Sequence, residues 1–182
     1  MLKFRLNILL ASGLAAGPLA WGKEAPATPK VQEKKEGRPE EAQKHFVAAL
    51  QLALDCETAK EKNLMGEHQR MSKLVVEHYE KALKLAPGDG EILVSFGAHY
   101  FNAGQFELAL AQYDQAIAAF RKKGDQAQLA EALFYKASTY YMREKFEEAL
   151  KVLEEVLALD PKHEEALQVK ASCLEHKKTP KP

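Results

Sequence analysis

Residues 93–120, LVSFGAHYFNAGQFELALAQYDQAIAAF, decide the fold of this chain. Apolar and small side chains recur three and four residues apart on both sides of Gly104, first from Leu93 to Tyr100 and then from Ala109 to Phe120. This spacing is that of one face of an α-helix, and a glycine between two such segments is typical of a turn. The stretch therefore predicts two amphipathic helices joined near Gly104.

The same pattern occurs a second time, 40 residues further along the chain. The matching pairs are Leu93 and Leu133, Gly97 and Ala137, Tyr100 and Tyr140, Phe106 and Phe146, and Ala109 and Ala149. A series of matches at a single offset indicates an internal repeat. From Glu40 onwards the chain keeps the helical spacing and has no strictly alternating run of polar and apolar residues, so we predict an all-α fold.

The repeated pattern resembles the tetratricopeptide repeat. One copy reads Leu93-x-x-Phe96-Gly97-x-x-Tyr100 and Ala109-x-x-x-Tyr113-x-x-Ala116, and the next reads Leu133-x-x-Lys136-Ala137-x-x-Tyr140 and Ala149-x-x-x-Leu153-x-x-Val156. An earlier half-copy, Val75-x-x-x-Tyr79-x-x-Ala82, ends at Pro87. Repeats of this family have about 34 residues. The longer offset therefore implies an insertion, which we place at residues 121–126.

The resemblance implies an α-solenoid of about three helix-turn-helix repeats and a C-terminal capping helix, within a domain at residues 40–178. We place the repeats at 42–88, 90–123 and 130–163 and the capping helix at 163–177. An insertion displaces and lengthens the first helix of the first repeat, which we place at residues 40–62. In the capping helix we expect the inner side to consist of Ala166, Leu167, Lys170, Ala171 and Leu174. The expected outer side is polar, which keeps the end of a stack soluble, and consists of Glu165, Gln168, Ser172, Glu175 and His176.

Small residues have a physical role in this pattern. Two antiparallel helices approach closely only where the side chains between them are small. In the family this closest crossing falls at the positions of Gly97 and Ala109, and again at those of Ala137 and Ala149. We therefore expect a larger side chain at Ala109 to cost about 1–3 kcal/mol through overpacking.

The N-terminal segment resembles a bacterial export signal. Lys3 and Arg5 precede a mostly apolar stretch from Leu6 to Ala20, and small residues lie at the spacing of a cleavage site within residues 20–23. We predict a signal peptide at residues 1–22 and an exported protein, located in the periplasm or secreted. The alternative is a chain tethered to the membrane by an uncleaved signal. The apolar stretch is, however, shorter than the ~20 residues that span a bilayer.

Residues 23–39 have a different composition from the segments on either side. They contain three prolines, alternating charges and almost no large apolar side chains. Such a segment buries too little apolar surface to offset the entropy of ordering. We predict a disordered linker here, and no stable membrane span after cleavage of the signal.

Composition excludes several classes of function. The chain has 26 Lys and Arg against 26 Asp and Glu, and this balance argues against nucleic acid as a main partner. Cys56 and Cys173 lie in the first and last helices, too far apart in a three-repeat stack for an intrachain disulfide, while a disulfide between molecules stays open. The segment starting at His163 lacks the second histidine of a metalloprotease motif. We predict a protein that is not an enzyme, with no catalytic residue, no cofactor and no metal.

In the family, the first helix of each repeat lines a concave groove, and the resemblance assigns candidate partner-binding positions. They are Val94, Phe101, Asn102, Phe134, Tyr135, Ser138, Tyr141 and Met142. Members that bind acidic C-terminal tails use Lys, Arg and Asn at such positions, and this chain has Asn102 but no cation there, which disfavours tail binding. The strip is apolar and aromatic, which favours an apolar or helical segment of a partner protein. Two other interpretations stay open: the strip packs between repeats, in particular at Tyr135, or the first helix or linker of the chain fills the groove.

We predict a non-catalytic, exported interaction scaffold that binds a partner segment in this groove. One alternative is a periplasmic assembly chaperone that shields apolar client segments and binds many unfolded clients weakly. Another is a structural subunit that self-assembles by stacking through an exposed end of the solenoid.

Overall fold

The computed structural model describes residues 37–178 of the chain. This part consists of seven α-helices and contains no strand. The helices are α1 (Glu40–Glu61), α2 (Met65–Leu85), α3 (Gly90–Asn102), α4 (Phe106–Lys123), α5 (Gln126–Met142), α6 (Phe146–Leu159) and α7 (Glu164–Lys178). The predicted signal peptide and nearly all of the predicted linker lie outside the described residues. The prediction of an all-α fold is confirmed.

Two aspartates and one glycine set the limits of the helices in the middle of the chain. The carboxylate of Asp89 accepts hydrogen bonds from the backbone N–H groups of Glu91 and Ile92, at 3.1 and 3.3 Å, and caps the start of α3. The carboxylate of Asp125 accepts a hydrogen bond of 3.2 Å from a backbone N–H in the first turn of α5. Such caps satisfy N–H groups that have no partner inside the helix. Gly124 has a left-handed φ of 71°, which lets α4 end in a tight turn.

Consecutive helices pack as three pairs, α1 with α2, α3 with α4, and α5 with α6, and the pairs stack in chain order with α7 at the end. In the second pair, Gly97 lies against the ring of Tyr113. A Cβ atom added at Gly97 would lie 2.6 Å from Cε1 of that ring, so only glycine fits while Tyr113 keeps its place. On either side of Tyr113 along α4, Ala109 and Ala116 are fully buried. The small residues of the repeat therefore allow the two helices to approach around one large ring.

The first helix pair is longer than the others. α1 has 22 residues and α2 has 21, and Asn63 between them has a left-handed φ of 59°. The core of this pair includes Phe46 of α1 with Val75 and Tyr79 of α2, and it continues to Phe96 of the next pair. The first pair is thus joined to the second through a shared core.

The extra residues between the second and third repeats do not form a loop. From the sequence we predicted an insertion at residues 121–126 and a third repeat that starts at residue 130. In the structure α4 continues to Lys123 and α5 already begins at Gln126. Three basic residues in the last turn of α4 favour this extension, since they lie near the negative end of the helix dipole. The extra residues therefore lengthen both helices.

The folded part begins before the predicted linker of residues 23–39 ends. Arg38 is only 6% exposed, and its guanidinium donates two hydrogen bonds to the carboxylate of Asp89, from Nε at 2.7 Å and from Nη2 at 2.8 Å. Nη2 also donates to Glu91 at 3.0 Å, and the guanidinium carbon lies 4.7 Å from the centroid of the Phe46 ring. Local composition could not reveal these contacts, because both carboxylates lie more than 50 residues further along the chain. The predicted linker is therefore wrong at its C-terminal end.

α7 packs only partly through the predicted face. Its buried apolar residues are Ala166, Val169 and Cys173. Of the predicted set, Ala166 is therefore buried as expected, whereas Leu167 and Leu174 are exposed. Both sets have the spacing of a helical face, so periodicity did not distinguish them. Of the predicted outer side, Gln168, Glu175 and His176 are exposed, and Glu165 and Ser172 are half-buried. The end of the stack is therefore less polar than predicted.

Candidate functional site

The eight predicted partner-binding residues lie on α3 and α5 and differ in exposure. Val94, Asn102, Phe134, Tyr135 and Tyr141 are half-buried, Phe101 and Ser138 are buried, and Met142 is exposed. α3 lies between two other helix pairs, whereas α5 lies next to the terminal helix α7. The two helices therefore contribute differently to the predicted groove.

The α3 part of the predicted groove is largely closed by packing. Phe101 is 7% exposed, and its ring meets the ring of Phe106 edge-on, with the centroids 5.6 Å apart. Tyr135 of α5 stacks on Tyr113 of the preceding repeat, with the centroids 5.9 Å apart. Tyr135 thus fills the space between two repeats, in agreement with the interpretation that the strip serves packing at this position.

The last turn of α1 borders the predicted groove. The ammonium group of Lys60 donates a hydrogen bond of 3.0 Å to the backbone carbonyl of Asn102 at the end of α3. This contact places the end of the first helix beside the α3 end of the predicted partner-binding residues. It does not involve the residues of α5. The first helix therefore narrows the α3 end of the groove.

An aromatic surface between α5 and α7 is less completely buried. The ring of Phe134 lies 4.8 Å from the ring of His163. Tyr141 meets Phe146 edge-on at 5.8 Å, and His176 of α7 lies parallel to Phe146 at 4.9 Å. His176 is exposed, and the other four residues are half-buried. We call these five residues the α5–α7 groove.

Phe146 and His163 were not among the predicted site residues. The pair of Tyr141 and Phe146 has the same edge-on geometry as the pair of Phe101 and Phe106 one repeat earlier, so the internal repeat was a usable signal for Phe146. His163 lies just before α7, and its Nδ1 accepts a hydrogen bond of 3.3 Å from a backbone N–H in the first turn of that helix. A histidine used in this way has no distinct sequence pattern.

Carboxylates flank the α5–α7 groove. The hydroxyl of Tyr135 donates a hydrogen bond of 2.9 Å to Glu131, and a carboxylate oxygen of Glu165 lies 3.2 Å from Nδ1 of His163. Burial raises the pKa of Tyr135, and Glu131 and Glu165 raise it further, so the phenol stays protonated. The nearby bases of α5 are engaged by acidic residues of α4: Lys136 pairs with Asp114, and Arg143 pairs with Glu107. Glu131 and Glu165 therefore place two carboxylates beside the aromatic rings of the groove.

The cysteines have the properties of core residues. Sγ of Cys56 lies 3.2 Å from Nδ1 of His68, but the same nitrogen lies 3.1 Å from the carbonyl oxygen of Cys56, and burial raises the pKa of the thiol. Burial also raises the pKa of Cys173, to about 11. A reactive cysteine needs a lowered pKa, and burial raises the pKa of both thiols instead. The contact of Cys56 with His68 is therefore a packing contact that joins α1 to α2. Within residues 37–178, no group of three or more His, Cys, Asp or Glu side chains is placed to hold a metal ion.

Residues 88–162 match the family model of the tetratricopeptide repeat. Among solved structures, the chain is similar to the first TPR of Spaghetti (RPAP3) bound to the HSP90 peptide SRMEEVD, with 21% identity, a TM-score of 0.52 and coverage of 72% of this chain and 96% of that one. It is also similar to the N-terminal domain of stress-induced protein-1 (STI-1) from C. elegans, with 16% identity, a TM-score of 0.53 and coverage of 71% and 97%. None of the curated proteins matches the chain.

These similarities establish the fold. At such low identities a structural likeness carries no information about ligands, but the repeat match and the helix order agree. The described part of the chain is a tetratricopeptide-type α-solenoid, and residues 88–162 carry the repeat pattern of that family. The resemblance stated from the sequence is confirmed for residues 88–162.

Proposed function

We propose that this protein is a non-catalytic interaction scaffold that binds a segment of a partner protein in the α5–α7 groove. The observation that supports this site is the contrast between equivalent residues of successive repeats. Phe101 packs inside the stack, whereas Tyr141, at the same repeat position, keeps accessible surface. Accessible aromatic side chains grouped on one surface are typical of binding sites. Of the eight predicted residues, the site proposed here keeps Phe134 and Tyr141. It leaves out the other six, among which Phe101 and Ser138 are buried.

The chemistry of the groove favours an apolar segment flanked by Lys or Arg. Its aromatic rings offer contacts to aliphatic and aromatic side chains, and its carboxylates, Glu131 and Glu165, attract cations and repel anions. One of the similar solved structures holds the acidic peptide SRMEEVD. We propose that this chain also binds a peptide segment, but one of opposite charge.

Peptide selection tests this proposal. Random peptides displayed on phage are selected on the immobilised chain, and the enriched sequences are synthesised and titrated by fluorescence anisotropy. We expect apolar sequences with basic flanks, and a peptide SRMEEVD that binds at least about tenfold more weakly. Tyr141→Glu and Phe134→Glu place a charge against the apolar ligand and should each weaken binding by about 30-fold or more.

The control for these variants is Leu108→Glu, which changes an exposed leucine of α4 outside the groove. It should bind the selected peptides like the wild type, and all three variants should melt within a few degrees of it, since the changed residues are not fully buried. The proposed site is wrong if Tyr141→Glu binds as tightly as Leu108→Glu. The proposed ligand class is wrong if SRMEEVD binds better than the basic peptides.

We also propose that the protein is exported and meets its partner in the cell envelope or outside. The support is the charged and apolar pattern of residues 1–22 with its small residues before Lys23. None of the helices within residues 37–178 combines the length and the apolar character that crossing a membrane requires. Intact mass measurement of the protein recovered from the envelope fraction tests the proposal. We expect a chain that begins within residues 21–24, and recovery of the uncut chain in the membrane would favour the tethered alternative.

A further inference from the structure

Two histidines of the first helix pair face each other across α1 and α2. Nδ1 of His45 lies 3.2 Å from Nδ1 of His78, whereas the ring centroids are 5.2 Å apart and the ring planes are inclined by 55°. The rings therefore meet through their nitrogen edges and do not stack. We call these two residues the histidine pair. It is separate from the α5–α7 groove, and the proposed function does not use it.

The surrounding core holds both histidines in place. His45 precedes Phe46 and His78 precedes Tyr79, and these two neighbours are 4% and 0% exposed. The rings of Phe46 and Tyr79 pack in the core with their centroids 6.3 Å apart. The backbone on both sides of the contact is thus anchored. The histidines themselves are half-buried, so the pair lies at the edge of the core, where a small ion can reach it.

The distance between the two nitrogens suits two ligands of one metal ion. Zinc is bound tetrahedrally with Zn–N bonds of about 2.0–2.1 Å, which places two ligand nitrogens about 3.3–3.4 Å apart. At the same bond length, ligands at right angles would lie about 2.8–3.0 Å apart. The observed 3.2 Å is closer to the tetrahedral value, and imidazole is one of the common ligands of zinc. The geometry of the pair therefore favours zinc.

A hydrogen bond between the two rings also accounts for the contact. It needs a proton on one Nδ1 and a lone pair on the other. Zinc can take the place of this proton, because the donating ring stays neutral when its proton moves through water to its own Nε2. Both Nδ1 atoms then offer lone pairs to the ion, and neither ring has to leave its position.

The charges near the histidine pair do not repel a cation. The charged residues within four positions of either histidine are Glu41, Lys44, Glu77, Glu80 and Lys81. Both bases among them are paired with carboxylates. The ammonium group of Lys44 lies 2.8 Å from Glu41, and that of Lys81 lies 3.9 Å from Glu77. Carboxylates are thus in excess, which favours the approach of a divalent cation.

The charge state of His78 is suited to metal binding, since only a neutral imidazole has a free lone pair. Burial lowers the pKa of His78, and the neighbouring His45 and Lys81 lower it further, while Glu77 opposes them. The ring is therefore neutral at neutral pH. Zinc then competes with few protons for this nitrogen.

We propose that His45 and His78 form a zinc site that joins α1 to α2. The two imidazoles supply two of the four tetrahedral positions, and water fills the others, as in zinc sites that keep open positions. Bound zinc stabilises the first helix pair, because the folded chain holds the two ligands together and the unfolded chain separates them. From the sequence we predicted no metal. The two ligands lie 33 residues apart on different helices, a spacing that no short ligand motif covers.

Zinc titration of the chelator-treated full chain tests the proposal. Zinc chloride is added at a pH of about 7.5, where an imidazole is mostly neutral. Isothermal titration calorimetry should show one ion per chain with a dissociation constant below about 0.1 mM. Zinc at about a hundredfold excess over this constant should raise the melting temperature by about 5 °C or more. Magnesium chloride should do neither, since magnesium prefers oxygen ligands.

Variants of the chain locate the ion. His45→Gln and His78→Gln should each weaken zinc binding at least about tenfold and remove most of the rise in melting temperature. The matched control is His68→Gln, which changes another half-buried histidine of α2 and should bind zinc like the wild type. His68 lies beside Cys56, so this control also tests whether that pair binds the ion instead. Circular dichroism of each variant shows whether the fold is intact.

Nuclear magnetic resonance identifies the ligand atoms. Long-range correlations between the imidazole protons and nitrogens distinguish Nδ1 from Nε2 in each ring. In the wild-type chain, zinc should shift the Nδ1 signals of His45 and His78 far more than their Nε2 signals. This readout does not depend on the stability of any variant.

Three results would overturn the proposal. The first is the absence of saturable binding of one zinc ion, or binding without a rise in melting temperature. The second is binding that is unchanged in both His45→Gln and His78→Gln, or reduced as much in His68→Gln, because the chain then holds an adventitious ion only. The third is coordination through Nε2, because the ion then does not lie between the two facing nitrogens.

Discussion

Replacing Gly97 by alanine tests how the paired helices fit together. The added Cβ would lie 2.6 Å from Cε1, 2.8 Å from Cδ1 and 3.1 Å from Cζ of Tyr113, all shorter than a carbon–carbon contact of about 3.5–4.0 Å. The ring has little room to move aside, because Tyr113 is completely buried. Overpacking costs about 1–3 kcal/mol, and the better helix propensity of alanine offsets about 1 kcal/mol of that. We expect Gly97→Ala to lower the free energy of unfolding by up to about 2 kcal/mol.

The third repeat supplies the compensating change. It has Ala137 and Leu153 at the positions of Gly97 and Tyr113, and both are completely buried. The double variant Gly97→Ala with Tyr113→Leu should therefore be more stable than the sum of the two single changes predicts, by about 1 kcal/mol or more. Urea unfolding followed by far-UV circular dichroism measures all four proteins of the cycle.

Gly66 provides a matched control within a helix. It lies in the first turn of α2, and a Cβ added there meets nothing within 4 Å. Gly66→Ala should raise the free energy of unfolding by about 0.5–1 kcal/mol, because alanine has less freedom in the unfolded chain. If Gly97→Ala is as favourable as Gly66→Ala, or if Tyr113→Leu adds to its loss without compensation, the proposed fit between ring and glycine is wrong.

Three further changes test other contacts. Arg38→Ala leaves the nearly buried carboxylate of Asp89 without its guanidinium partner and should lower the free energy of unfolding by about 3 kcal/mol. Arg38→Lys should lower it by less, as measured by urea unfolding. Equal decreases in the two variants would argue against the ion pair. Burial, and then nearby His68, lowers the pKa of His99 to about 4 from its usual 6.5, so the unfolded chain takes up the proton first. The free energy of unfolding should fall by up to about 3 kcal/mol as the pH drops from about 6.5 towards 4. Unfolding midpoints measured across this pH range should decrease less steeply for His99→Gln than for the wild type. The hydroxyl of Tyr79 is buried and has no hydrogen-bond partner among the described residues. Tyr79→Phe should therefore raise the free energy of unfolding by about 1 kcal/mol, and a lower melting temperature would contradict this.

The repeat pattern was readable because it is local. The spacing of Leu93, Gly97, Ala109 and Tyr113 reports contacts between two helices that are close together in the chain, so the sequence alone predicted the fold class and the pairing. Arg38 shows the limit of such reasoning. Its carboxylate partners are more than 50 residues away, and its own surroundings in the sequence have the composition of a linker.

The candidate site was predictable only in part, because spacing identifies a helical face and does not say what covers it. Phe101 and Tyr141 occupy the same position in successive repeats. Within residues 37–178, however, a repeat stacks on both sides of α3, whereas the α5–α6 pair has a repeat on one side and the single helix α7 on the other. Phe101 is therefore buried, and Tyr141 keeps accessible surface. The buried side of α7 was predicted wrongly in part for a related reason. Two of its faces have helical spacing, and the packing of the preceding repeat decides which of them is buried.

The buried guanidinium of Arg38 has a mechanical consequence. If the preceding segment is attached to a surface, tension along it acts on Arg38, whose guanidinium is bonded both to the carboxylates at the start of α3 and to Gln43 in the first turn of α1. Pulling would then strain hydrogen bonds at the junction of two repeats, and α1 would be shielded from unwinding residue by residue. The first two repeats, α1–α2 and α3–α4, would then resist such a force together until the side chain of Arg38 is pulled out of its contacts.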